Sequence, residues 1–177
     1  PGKDLTEDDI AGKIPLVAKK NPEHKSRFSV AGVEFGGPLI PVMAGPNTVE
    51  NEEMIVATAE AVKAAGAHFL RGGAFKPLSF PYRSDKFFET REQGLEWLSI
   101  AKEKTGLPVV TEVMESSKID VVAEHSDMLQ IGTRNMQNYT LLTDVGKKGM
   151  PTMLKRHYGA SLRDWLMAAE YIALEHD

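Results

Sequence analysis

The sequence predicts an α/β fold in which about five β/α units build one parallel sheet. Two observations carry this. Short apolar runs at Leu39–Ala44, His68–Arg71, Pro108–Val113, Met128–Ile131 and Thr152–Lys155 alternate with helical periodicity at Asn51–Ala65, Glu92–Lys104, Ser117–Glu124, Met136–Lys148 and Leu162–Glu175. Spacers of this kind suit helical crossovers, so consecutive strands run parallel with right-handed connections. Glycine also follows three of the helical runs, at Gly66, Gly106 and Gly149, where a C-terminal cap belongs.

Residues 1–27 are polar and charged, with scattered apolar positions at Leu5, Ile10, Ile14, Leu16 and Val17, and read as an irregular extension holding a short helix. Residues 28–177 read as the folded domain. It opens with Phe28–Phe35, which alternates apolar and polar residues around Ala31-Gly32 and fits a small β-hairpin able to plug one end of a closed sheet. Asn47, with Glu50 three residues later, has the form of an N-cap for the first helix. Ser161 and Asp164 form a capping box for the last helix, and Leu162, Trp165, Leu166, Ala169 and Ile172 share one of its faces. From Gly72 to about Glu92 runs a long loop containing Pro77, Pro81 and several aromatics. Loops of that length inside a compact domain are usually functional, and this one leaves the carboxyl end of a strand.

Composition narrows the chemistry. The 177 residues are 42% hydrophobic and 26% charged, an ordinary globular mixture. No apolar run approaches the ~20 residues of a membrane span, and Pro1-Gly2-Lys3-Asp4 begins no apolar signal core, so a cytoplasmic protein is expected. The absence of cysteine removes disulfides and thiolate metal ligands. A net charge of −4 with no long basic run argues against nucleic acid as a partner.

Basic residues cluster at the carboxyl ends of the expected strands. Arg71 ends the second and leads into Gly72-Gly73-Ala74-Phe75-Lys76-Pro77; Arg134 follows the fourth; Lys155 and Arg156 end the fifth. In a barrel these positions converge on one mouth, and the cations repel one another unless an anion sits between them. Guanidinium forks suit phosphate and carboxylate. The alternative is a set of solvated bases, or bases paired with Glu112 at the end of the third strand.

The runs Ala44-Gly45-Pro46-Asn47-Thr48-Val49-Glu50, Arg71-Gly72-Gly73-Ala74-Phe75-Lys76-Pro77, Thr111-Glu112-Val113, Gln130-Ile131-Gly132-Thr133-Arg134-Asn135-Met136-Gln137-Asn138 and Leu154-Lys155-Arg156 occur in that order. Together they resemble the motifs of 3-deoxy-heptulosonate 7-phosphate synthases and their octulosonate 8-phosphate relatives, from about Phe28 to the last residue. The resemblance implies a partial TIM barrel and a phosphoenolpyruvate-dependent transferase of aromatic amino acid biosynthesis, in the shikimate pathway. It implies that Arg134 and Lys155 hold the substrate phosphate, that Arg71 and Lys76 reach the carboxylate and reacting carbons as catalytic residues, and that Gln130, Asn47 and Glu112 join the substrate site. The partner is then a small phosphorylated or carboxylated acid.

Departures from the pattern qualify that implication. Metal-dependent members have cysteine where this chain has Asn47, so no metal and no cofactor is expected. Asn47 reads equally well as a helix cap. Leu78 stands where the family has arginine, and Arg83–Glu89 differs from the family's loop, so the acceptor pocket is expected to differ. His157-Tyr158 stand where small residues are usual. A complete barrel has ~250 residues. The later strands that supply a further arginine and the His, Glu and Asp metal ligands are missing from this sequence.

Five strands leave two open edges, with Val42, Val110, Leu129 and Leu154 expected to face inward toward water. A partner closing the barrel (a homodimer or higher oligomer), a rearranged fold and a truncated chain all answer that. Three functions remain: an enzyme acting on phosphoenolpyruvate or a similar acid, a derived enzyme using the same bases on another acid, and a non-catalytic anion-binding or regulatory relative.

Overall fold

The computed structural model describes residues 6–77, 81–82 and 89–175. Its centre is a curled sheet of five parallel strands in sequence order: β3 (Met43–Ala44), β4 (Phe69–Arg71), β5 (Val109–Glu112), β6 (Met128–Ile131) and β7 (Thr152–Leu154). The connecting helices are α2 (Glu52–Ala64), α3 (Arg91–Thr105), α4 (Ile119–Glu124) and α5 (Tyr139–Lys148), with α6 (Leu162–Leu174) after the last strand. Ahead of them lie α1 (Glu7–Lys13) and the hairpin of β1 (Phe28–Val30) and β2 (Val33–Phe35). This is the partial TIM barrel the sequence implies. No helix among the described residues is long and apolar enough to cross a membrane.

Local chemistry explains most boundaries. β3 is shorter than the apolar run Leu39–Ala44 because Pro41 interrupts the run and offers no N–H to a ladder. The expected helix Ser117–Glu124 begins as a 3-10 turn at Ser116–Lys118, and Met136–Lys148 is delayed until Asn138 caps α5 through Leu141 N. Asn47 does not cap α2. Asn51 does, its Oδ1 accepting from Met54 N at 2.8 Å. The capping box at Ser161 and Asp164 forms as read.

Strand parity divides the core in two. Leu70, Val109, Leu129 and Ile131 point outward and are sealed under the helices with Ile55, Leu95, Leu98, Val122, Leu142 and Val145. Phe69, Val110 and Met128 point inward, where the hairpin covers them with Val30, Val33 and Phe35, joined by Met43 and Met153. The hairpin closes through Ala31 and Gly32 at φ 47° and 82°, the two positive values of a tight turn matched to strand twist. It therefore forms a floor inside the curled sheet.

This corrects one expectation. Leu129 and Leu154 do not face the barrel interior: Leu129 belongs to the helix-side core and Leu154 packs against it. Val110 does face inward and is fully buried by the floor, whereas Val42 is about half exposed. The exposed apolar surface lies instead at Leu39, Ile40 and Val42 before β3 and at Leu162 and Leu174 on α6. The extension before residue 28 is tied down as well: Ile14 is buried, and Leu16 N and Val17 N donate to Glu170 on α6 at 2.7 and 2.9 Å.

Candidate functional site

Above the apolar floor, the next inward position on four strands is polar. Arg71 lies two residues beyond Phe69, Glu112 beyond Val110, Gln130 beyond Met128 and Lys155 beyond Met153. The period of two that builds the floor thus builds a ring of charge at the carboxyl ends. Glu112 and Gln130 are paired in register across β5 and β6.

Arg71, Lys76, Arg134 and Lys155 converge with Asn47 and Glu112 on one cleft of about 250 Å³. Each of three cations is oriented by a neutral oxygen. Arg71 donates to Pro46 O at 3.2 Å and Asn47 Oδ1 at 2.9 Å; Lys76 Nζ donates to Thr48 Oγ1 at 2.6 Å; Arg134 Nη1 donates to Pro77 O at 2.6 Å. Gln130 lies behind the wall, almost fully buried, and its Nε2 donates to Glu112 Oε2 at 3.2 Å. Six of the seven residues singled out in the sequence thus line the cleft, and the seventh reaches it through Glu112.

Among the described residues Glu112 is the one carboxylate lining the cleft, and it is 9% exposed. Burial pushes its carboxyl above the ordinary range, opposed by the charges of Lys155 and Arg71, the Gln130 hydrogen bond and the charge of Arg134. Gly132 makes room for it. A Cβ there would overlap Glu112 Oε1, although the backbone at Gly132 is ordinary for any residue. Thr48, Gly132, Thr133 and Tyr158 had no assigned role from sequence; a small residue just ahead of a strand-end cation was the available signal for Gly132.

The two ends of the long loop are clasped. Arg91 N donates to Ala74 O at 2.9 Å, and the Glu89 carboxylate accepts from Lys76 N at 3.2 Å and Arg91 Nε at 3.0 Å. Leu78, where the resemblance leads one to expect arginine, and the segment 83–88 lie outside the described residues. His157 does not line the cleft; its Nδ1 accepts from Gly159 N at 3.1 Å. A second cleft, beside Phe75 and Met114, mixes Glu89 and Glu115 with Arg91 and Lys118 and gathers no single sign of charge.

The described residues do not by themselves fit a transition metal. The Asn47 amide oxygen is engaged by Arg71 and is a weak ligand beside a thiolate. Among the described residues no three His, Cys, Asp or Glu side chains converge.

Known proteins resemble this chain in sequence and in fold. The chain is 38% identical over 158 residues to the phospho-2-dehydro-3-deoxyheptonate aldolase of Thermotoga maritima, covering 89% of this chain and 46% of that protein. It is 32% identical over 129 residues to the 2-dehydro-3-deoxyphosphooctonate aldolase of Desulfatibacillum aliphaticivorans, covering 70% of this chain and 46% of that one. The chain thus spans about half the length of the curated relatives it matches. The crystal structure of the Thermotoga maritima DAHP synthase superposes with a TM-score of 0.77 at 37% identity, covering 85% of this chain and 42% of that one. A truncated form of the Thermotoga maritima 3-deoxy-D-arabino-heptulosonate 7-phosphate synthase gives 0.80 at 35%, covering 93% and 58%. The profile of the DAHP synthetase I family matches residues 23–176, and the chain belongs to that family.

Proposed function

We propose that the cleft binds phosphoenolpyruvate and that the whole protein condenses it with a phosphorylated aldehyde as an aldol-type synthase, a transferase. The observation that carries this is the convergence of Arg71, Lys76, Arg134 and Lys155 on one small volume. Arg134 and Lys155 hold the phosphate, and Arg71 and Lys76 hold the carboxylate and face the reacting carbons. Glu112, Asn47 and Gln130 complete the substrate site. In the condensation C3 of phosphoenolpyruvate attacks the aldehyde carbon, water adds at C2, and phosphate leaves. Cations fixed beforehand stabilise the charge that develops. The setting this implies is cytoplasmic aromatic amino acid biosynthesis through the shikimate pathway. Residues 28–177 serve as the barrel domain and residues 1–27 as its extension.

Calorimetric titration with phosphoenolpyruvate, with and without divalent metal, tests the assignment. One-to-one binding is expected in both cases. Arg134→Ala should weaken it about tenfold, because an exposed cation surrenders only part of a charge-assisted bond. Unchanged affinity in Arg134→Ala would remove the cleft from consideration.

Glu112 makes binding depend on pH. An anion among the cations cancels the charges that oppose burial, so the Glu112 pKa rises further and the complex takes up a proton. A group whose pKa is raised in the complex strengthens binding below that pKa, and the gain fades as pH rises through it. Affinity should therefore fall with pH above the ordinary glutamate value of ~4.3, beyond the slope set by the ligand's own phosphate, with a second pKa of ~6. Glu112→Gln should leave the ligand's slope alone. Identical slopes for the two proteins would show that Glu112 does not titrate on binding.

The protein acts as a homodimer or higher oligomer. Supporting this, β3 and β7 each pair on one side only among the described residues, beside the exposed Leu39, Ile40, Leu162 and Leu174. Light scattering should give at least twice the 19.5 kDa of this chain. A monodisperse monomer that melts cooperatively would refute this.

A further inference from the structure

One large side chain at the cleft is not used by the anion site. Tyr158 lines the cleft beside the four cations yet is 93% exposed. A single exposed tyrosine is unremarkable in itself. Its mounting is the informative feature. Lys155 N donates to Ile131 O at 3.0 Å, extending the sheet to the foot of the turn. His157 N donates to Met136 Sδ at 3.3 Å, Gly159 N to His157 Nδ1 at 3.1 Å and Ala160 N to His157 O at 3.1 Å. The capping box of Ser161 and Asp164 then fixes the start of α6. The turn is held at its foot, through its middle and at its exit, so the ring is carried at the rim on a short, hydrogen-bonded pedestal.

The chemistry around the ring selects what it meets. Glu112 and Arg71, buried and half-buried, end their strands directly above the floor and Lys155 follows the end of β7, whereas Tyr158 lies three residues farther on and is almost fully exposed, at the mouth. A small acid held by the cations leaves the mouth to whatever reacts with it. A phenol offers an apolar face to the C–H bonds of a carbon chain and a hydroxyl to its oxygens. We propose that Tyr158 is a specificity-determining residue for the second substrate, its ring supporting the polyhydroxy chain of a phosphorylated aldehyde seated over the bound acid. This rests on the reading of the cleft as the phosphoenolpyruvate site.

The test titrates the chain, saturated with phosphoenolpyruvate, with the alcohols made by reducing four-carbon and five-carbon aldose phosphates, which cannot condense. Tyr158→Ala should weaken binding of the preferred alcohol phosphate about tenfold and narrow the preference between the two. Tyr158→Phe, which keeps the ring, should recover most of that loss. Phosphoenolpyruvate affinity is read in the same protein. An alcohol phosphate affinity untouched by Tyr158→Ala, with phosphoenolpyruvate still bound, would overturn the proposal and leave the anion site standing. Equal loss of both ligands in a folded Tyr158→Phe would assign the residue to the anion site instead and overturn it too. Failure of the unmodified chain to bind phosphoenolpyruvate would remove the underlying reading itself.

Discussion

Replacing Arg71 with alanine is expected to weaken phosphoenolpyruvate binding about 100-fold, more than any other single change in the cleft. Arg71 is half-buried, whereas Arg134 is exposed, so its guanidinium has less water to fall back on when the ligand leaves. Truncating one partner of a desolvated, hydrogen-bonded charge pair costs ~2–5 kcal/mol; for a half-buried arginine the lower part of that range applies, ~2.8 kcal/mol or about 100-fold in affinity. Arg71 also spans the cleft wall, holding Pro46 O and Asn47 Oδ1, so alanine releases the loop that carries Asn47. Arg71→Lys separates the two effects. An ammonium keeps the charge but not the fork, and should restore only about tenfold. Calorimetry on the three proteins, with circular dichroism to establish folding, gives the comparison. A loss below about threefold in folded Arg71→Ala would place the anion elsewhere.

The second large effect is on stability. Phe69→Ala should destabilise the fold by ~3–5 kcal/mol, the usual cost of emptying a fully buried aromatic site. Phe69 is where strand and hairpin meet: its ring lies 5.8 Å from that of Phe35, within the layer that also holds Val30, Val110 and Met128. Phe28 makes a useful contrast. Its ring stacks on the same Phe35 at 4.9 Å but is 52% exposed, so Phe28→Ala should cost no more than ~1 kcal/mol. Urea unfolding of both variants checks the pair. Comparable losses would mean that the hairpin floor is not a packed layer.

Much of this architecture was legible because its signals are local. The strand and helix runs, the turn at Ala31-Gly32 and the capping box at Ser161 each depend on residues within one or two turns of chain. Asn47 misled because its partner is tertiary. As a short polar residue ahead of a helix it has a cap's chemistry, but Arg71 from the next strand takes its oxygen, and Asn51 is the residue adjacent to the first helical turn. Strand orientation misled for a different reason. A strand buried on both faces reads as a continuous apolar run, so Leu129 and Met128 look equivalent. The polar residue two positions on breaks the tie: Glu112 lines the cleft and Gln130 bonds to it from behind, which turns Met128 and Val110 inward and Leu129 outward. The strand-end cations were found from type and position alone, because parallel strands deliver their carboxyl ends to one rim.

The bonds from Leu16 N and Val17 N to Glu170 bear on the order in which this molecule can assemble. They join groups more than 150 residues apart, so the loop they close contains all five strands of the sheet. During synthesis Leu16 and Val17 are made long before α6, and their N–H groups lack this acceptor until α6 exists. The hairpin floor gains only its final contact, Met153, from β7. Local β/α units can form early and the hairpin can dock once Phe69 is made, but the segment at Leu16 and Val17 must wait for α6, which raises the contact order of an otherwise locally wired fold and slows its final step.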